Sequence, residues 1–220
     1  MSVSTDIRPL LASLQSPDPA VRKPAEAQVT SFEAAPGFLA ALHAAAAPNS
    51  GLDEGARVLA TICCKNIVTR HWRRGQLADA AKQHMREGVV RRLHDSSRLV
   101  VAQMLQVLQK IARTDYPKMW PSLFSDLVPQ LQQPHAPTAA RALNKVLKAL
   151  ATKRLQADRK FFRSLAEEML PFFSQYWYER QRALFGMLAS QSGLGWPAAS
   201  AAGTSQFCSS GGLGGGGLGG

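Results

Sequence analysis

The chain has 220 residues and carries 26 Lys and Arg against 15 Asp and Glu, a formal charge of +11. Twelve of its 17 glycines lie from Gly186 onward, and no charged residue follows Arg182, so the carboxyl end is a different material from the rest. No apolar leader stretch opens the chain, no uncharged run is apolar enough to span a bilayer, and the three cysteines make no disulfide framework, which points to a soluble protein of a reducing compartment.

Taken in order, apolar residues recur with a 3.6-residue period over 5–15, 19–34, 37–47, 54–72, 79–93, 98–114, 121–132, 138–155 and 159–178, and no strand pattern competes. Asp18 before Pro19 supplies a side-chain acceptor and then a residue with preset φ, which starts a helix. Asp53 with Glu54, Asp79, Ser97, Thr138 and Asp158 stand in similar places. On the sixth segment Val100, Val101, Met104, Leu105, Leu108, Ile111 and Ala112 form one broad apolar stripe, and Leu123, Phe124, Leu127, Val128 and Leu131 form the next. The final segment is apolar on one side through Phe161, Phe162, Leu165, Met169, Phe172, Phe173 and Trp177.

Paired in order, these segments give helical hairpins over 5–34, 37–72, 79–114 and 121–155, with starts spaced by 32, 42 and 42 residues. A hairpin recurring at about forty residues is the signature of HEAT or armadillo arrays, in which each unit hides its apolar face only by stacking on the next. The expected fold is therefore all-α: an α-α superhelix of about four and a half repeats over residues 1–178, in preference to a closed bundle, with a disordered Gly/Ser/Ala-rich tail over 179–220. The last helix lacks a covering partner where the glycines begin, so the chain is expected to be a truncated product or gene model.

Three stretches carry a resemblance. Ser16-Pro-Asp-Pro-Ala-Val-Arg-Lys-Pro-Ala-Glu-Ala-Gln to Val29, Arg57-Val-Leu-Ala-Thr-Ile-Cys-Cys-Lys-Asn-Ile-Val-Thr-Arg-His-Trp72, and Ile111-Ala-Arg-Thr-Asp-Tyr-Pro-Lys-Met-Trp-Pro-Ser-Leu123 follow one another as in the importin-β (karyopherin-β) family. Residues 7 to about 178 resemble the amino-terminal arch of those nuclear transport receptors. The resemblance implies a function in nucleocytoplasmic protein transport, between cytoplasm and nucleus, and binding of a Ran-type small GTPase in its GTP form. It also implies nucleoporins and protein cargo as partners of a full-length form. GTPase and cargo would compete for one receptor, each lowering the other's affinity by the same factor.

On the fourth segment, Arg57, Thr61, Lys65, Val68 and Trp72 line up at steps of three and four and can face a partner, while Leu59, Ile62, Cys63 and Ile67 make the packed stripe. The resemblance puts the second helix of each early hairpin against the GTPase, and so nominates Arg22, Lys23, Glu26, Arg57, Lys65, Asn66, Arg113 and Lys145 as contacts. For Lys65 the competing reading is plain solvation, and for Asn66 a buried structural amide. Trp120, between Pro117 and Pro121, reads as a wedge locking a corner.

Catalysis has no support: the histidines are dispersed, no H-E-x-x-H or G-x-S-x-G occurs, and the glycine tail lacks the Lys-Ser/Thr of a phosphate loop. No enzyme, cofactor or metal is expected. The basic clusters at 71–74, 91–92, 153–154 and 159–163 fall at helix ends. They leave one alternative open, a basic helical scaffold that holds RNA or other polyanions through phosphate contacts, without sequence specificity or membrane insertion. A truncated product without transport activity is another.

Overall fold

The computed structural model describes residues 7–133, 136–153 and 156–192. Among them nine α-helices occur and no strand: α1 (Arg8–Leu14), α2 (Pro19–Phe32), α3 (Phe38–Ala45), α4 (Glu54–His71), α5 (Asp79–Arg91), α6 (Arg98–Asp115), α7 (Leu123–Leu127), α8 (Ala136–Ala151) and α9 (Gln156–Ser192). The expected all-α class is what the chain adopts.

The helix starts follow from local chemistry. Asp18 accepts from the Ala20 amide at 2.8 Å, Asp53 from the Ala56 amide at 2.8 Å, and Ser97 from the Val100 amide at 3.3 Å. Each supplies an acceptor to donors that the first helical turn leaves orphaned. Asp79 lies instead inside the first turn of α5, where Ala78 is the cap and its side chain bonds nothing. There a carboxylate acts through the helix dipole. Thr138 and Asp158 are likewise inside α8 and α9.

The segment expected as one helix over 121–132 divides. α7 ends at Leu127 and a tighter 3₁₀ stretch continues through Gln132, with Pro129 inside it. Proline has no amide hydrogen and crowds the preceding turn, so an α-helix is not held there. At the preceding corner Tyr116 is extended before Pro117, as a residue before proline prefers. Trp120 is buried there, its Nε1 donating to Asp126 at 3.3 Å.

The structure divides into two compact units, Met1–Arg163 and Ser164–Gly220. In the first unit α1 packs on α2, α3 on α4, and α5 on α6, while α8 packs on α7 and on the 3₁₀ stretch after it. These are the four hairpins. The second helices stack in the order α4, α6, α8, α3 packs on α5, and α1 reaches α4. The core runs along this stack, with Leu42, Ala60, Cys64, Ile67, Val100, Met104, Leu108, Ile111, Leu123, Leu127, Ala142 and Val146 fully or almost fully buried. Removal of such side chains from water is the main stabilising term.

One junction is tight enough to require glycine. A Cβ on Gly88 of α5 would lie 2.2 Å from Cε1 of His43 on α3. His43 is buried, its Nδ1 lies 3.3 Å from His84 Nε2, and its Nε2 has no hydrogen-bond partner. Burial, reinforced by Arg92, His84 and Arg91, lowers its pKa to about 4, so the imidazole is neutral at pH 7.

In the second unit α9 continues past the expected end at 178 to Ser192. The expected disorder of the glycine-rich stretch from 193 to 220 lies outside the described residues.

Candidate functional site

The expected partner-facing line on α4 is mostly interior. Arg57, Thr61, Val68 and Trp72 are buried, and Lys65 is half-buried. The correction has a physical cause. α4 packs on α3 of its own hairpin and on α6 of the next, so it is covered over a wide arc, and a single apolar stripe underestimates what is enclosed. Leu59 and Ile62, expected in the packed stripe, are only half-buried.

Arg57 is committed to the fold. Its Nη2 donates to Asp95 Oδ1 at 2.6 Å and its Nε to the Ala46 carbonyl at 3.3 Å. A buried guanidinium needs such partners, because an unpaired charge there would cost several kcal/mol. Thr61 is satisfied locally, its hydroxyl donating to the Arg57 carbonyl at 2.8 Å. Trp72 Nε1 donates to Asp115 Oδ1 at 2.9 Å, and Arg86 Nε to Asp115 Oδ2 at 2.8 Å. Asp115, quoted in the sequence as part of a turn motif, is thus a buried acceptor joining two hairpins.

The other nominated residues divide between structural and open positions. On α2, Arg22 donates to the Ser16 carbonyl at 3.2 Å and lies 3.5 Å from Glu26, while Lys23 is exposed. On α4, Lys65 Nζ donates to Gln103 Oε1 of α6 at 2.8 Å, and Asn66 is half-buried beside it. Arg113 of α6 reaches the end of α8, donating to the Ala149 carbonyl at 2.7 Å and to Thr152. There it satisfies carbonyls that the last helical turn leaves open and complements the negative end of the dipole. Lys145 is half-buried on α8.

Lys65, Arg113 and Lys145 belong to one layer, the side of α4, α6 and α8 away from their buried stripes. Three cations that the sequence reading did not nominate join them there: Lys110 on α6 and Arg141 and Lys148 on α8. Their signal was available in the spacing. Lys110 precedes Arg113 by one helical step, and Arg141 and Lys148 flank Lys145 at four and three residues. Gln103, half-buried, and Gln106, exposed, lie on α6 between them in sequence, and Gln103 accepts from Lys65.

These three helices carry few carboxylates. Only Glu54 and Asp115 occur on them. Glu54 is in the first turn of α4 and accepts from the Ser97 hydroxyl at 2.5 Å, while Asp115 is buried as described. On these three helices the layer therefore presents amides and cations, with Glu54 at the start of α4 its one exposed carboxylate. Such a face has a positive potential and offers donors to an acidic protein surface.

Residues 25–94 match the family model described as importin-beta N-terminal domain, and residues 97–169 match the one described as exportin 1-like protein. The chain is 34% identical over 182 residues to importin-11 of Homo sapiens, covering 80% of this chain and 19% of that protein. It is 32% identical over 177 residues to importin beta-like protein kap113 of Schizosaccharomyces pombe, with 74% and 18% covered. Exportin-2 of Homo sapiens is 26% identical over 121 residues, with 53% and 12% covered. The chain spans about a fifth of the length of the first of these relatives.

Proposed function

The chain belongs to the importin-β family, whose amino-terminal region it carries, and we propose that the cation-lined layer of α4, α6 and α8 captures a Ran-type small GTPase in its GTP form. The observation that carries this reading is the pairing of the family's amino-terminal domain with a face that holds Lys65, Lys110, Arg113, Arg141, Lys145 and Lys148 against one exposed carboxylate on the same helices, Glu54. Selectivity for the GTP state would come from the partner, whose switch segments are ordered by the γ-phosphate.

In this reading the family's work, carrying proteins between cytoplasm and nucleus, depends on segments of a longer receptor that contact cargo and nucleoporins. The present chain performs the GTPase-sensing step. Nothing in the reading requires catalysis by the chain itself.

The deciding experiment is capture of the GTPase, loaded with GTP or with GDP, on the immobilised chain. Strong capture of the GTP form alone is expected. Equal capture of both forms, or capture of neither, would remove the proposal. The same cationic layer favours a second reading, binding of RNA or another polyanion. That reading requires affinity that falls steeply with salt, because phosphate contacts release counterions, and that ignores the nucleotide state of any GTPase.

A further inference from the structure

We propose that the chain holds single-stranded nucleic acid along one edge of the first unit, on a surface separate from the cationic layer. Side-chain bonds set the carboxyl ends of the second helices side by side. Glu33, at the end of α2, takes Arg70 and His71 from the end of α4. Trp72, just beyond α4, reaches Asp115 at the end of α6, and Arg113 of α6 reaches Ala149 and Thr152 at the end of α8. The turns that lead on to α5, α7 and α9 therefore share this edge. Stacking covers the flat faces of a hairpin and leaves its turns open, so such an edge stays exposed however long the array is.

Each of these turns brings cations: Arg73 and Arg74 after α4, Lys118 after α6, and Arg159 and Lys160 where α9 opens, all of them exposed. Arg113 and Lys153 on the same edge are engaged by the carbonyls of Ala149 and Tyr116, whereas the five exposed cations make no hydrogen bond or ion pair among the described residues. The carboxylates beside them are mostly taken. Glu33 and Asp115 are paired, Asp126 accepts from Trp120 and Ser122, and Asp158 lies 3.7 Å from Lys153, which leaves Asp79 at the start of α5. Packed helices stand about 8 to 10 Å apart, so the cations recur in regular steps along a row. That row suits a polymer charged at every unit, and guanidinium forks match phosphate oxygens. An acidic protein fits less well, because Met119 and Phe161 are the exposed large apolar side chains of this edge, too few for the apolar centre of a protein interface. Phe161 instead favours an unpaired strand. It is 39% exposed beside Lys160 and anchored on Tyr116, with ring centroids 5.6 Å apart, so it offers a fixed ring on which a base can stack. The polyanion reading above used the layer of α4, α6 and α8; none of the five edge cations belongs to it.

The test titrates the full chain into a labelled uridine RNA of about 20 nucleotides, longer than one site of this kind, and reads fluorescence anisotropy at several salt concentrations. Micromolar binding at low salt is expected, weakening as salt rises. Arg73→Glu combined with Arg74→Glu, and Arg159→Glu combined with Lys160→Glu, should each weaken it by roughly tenfold, and Phe161→Ala by roughly fivefold or more, at unchanged helical circular dichroism. Lys65→Glu combined with Lys145→Glu, on the layer, should weaken it far less. A wild-type chain that binds no RNA overturns the proposal, and so does a loss in the layer variant that exceeds the loss in the edge variants. Equal displacement of the RNA by a polyglutamate chain, or equal affinity for a duplex of the same length, overturns the assignment to an unpaired strand. These measurements use no GTPase, so this proposal and the capture reading fail separately.

Discussion

Trp72 and Asp115, 43 residues apart, are joined by a buried hydrogen bond from the indole Nε1 to Oδ1 at 2.9 Å. The second oxygen of the same carboxylate takes Arg86, whose guanidinium also lies 5.9 Å from the Trp72 ring centroid. One acid therefore holds a tryptophan from α4's end and a cation from α5 against the end of α6.

Truncating that acid is expected to leave both partners stranded. Asp115→Ala should destabilise the fold by about 3 to 5 kcal/mol, the cost of breaking a buried pair by removing one member. Trp72→Phe keeps most of the ring volume and should cost about 1 kcal/mol, the net worth of the lost bond. Urea midpoints measure both, and equal losses for the two variants would contradict the acceptor role given to Asp115.

Arg57 is expected to affect stability rather than partner affinity. Arg57→Ala and Asp95→Ala should each cost about 3 kcal/mol, because each strands a buried charge, and the double variant should cost much less than their sum. A thermodynamic cycle built from the urea midpoints tests this, and strict additivity would separate the two residues.

His43 predicts an acid-sensitive fold. Its folded-state pKa, held near 4 by burial and the neighbouring Arg92, His84 and Arg91, lies below the ordinary imidazole value of 6.5. The unfolded chain therefore binds the proton more readily between these values. Stability from this group is complete above pH 6.5 and is lost as the pH falls towards 4, by about 3 kcal/mol in total. Replacing the ring with the neutral amide of His43→Gln should flatten the slope of stability against pH between 6.5 and 4, whatever it does to stability at neutral pH. Unchanged slope would acquit His43.

The cationic layer is expected to respond to charge reversal without unfolding. Lys65→Glu combined with Lys145→Glu should lower capture of the GTP-loaded GTPase by roughly tenfold while the melting temperature moves by about a degree or two. Lys65 has an uncharged hydrogen-bond partner, Gln103, so its loss removes no ion pair. Unaltered capture would mean that both lysines are merely solvated.

Much of the fold was legible because its signals are local. Asp18, Asp53 and Ser97 announce helix starts by side-chain chemistry that acts within three residues, and the stripe Val100, Met104, Leu108, Ile111 announces a buried face by period. The status of Arg57 was not legible, because the partner that draws it inside, Asp95, is 38 residues away and acts across a hairpin junction. An arginine spaced like a surface residue looks the same whether its carboxylate is present or absent. Lys110, Arg141 and Lys148 lie outside the family motifs, so only their periodic spacing to Arg113 and Lys145 marks them. The extension of α9 to Ser192 was not legible because beyond Trp177 the apolar residues Leu184, Phe185, Met187 and Leu188 stay exposed and no charged residue follows Arg182 to mark a polar face.

Most side-chain bonds between hairpins in the first unit have a similar reach, Arg92 to the His43 carbonyl at 49 residues being longer. Arg57 to Asp95, Lys65 to Gln103, Arg113 to Ala149, Lys153 to Tyr116 and Trp72 to Asp115 connect residues 36 to 43 positions apart, one unit along the array. Such wiring ties each hairpin to its immediate neighbour. Under tension from its ends this region should therefore give way one hairpin at a time, and a force–extension trace would record separate yielding events in place of a single rupture.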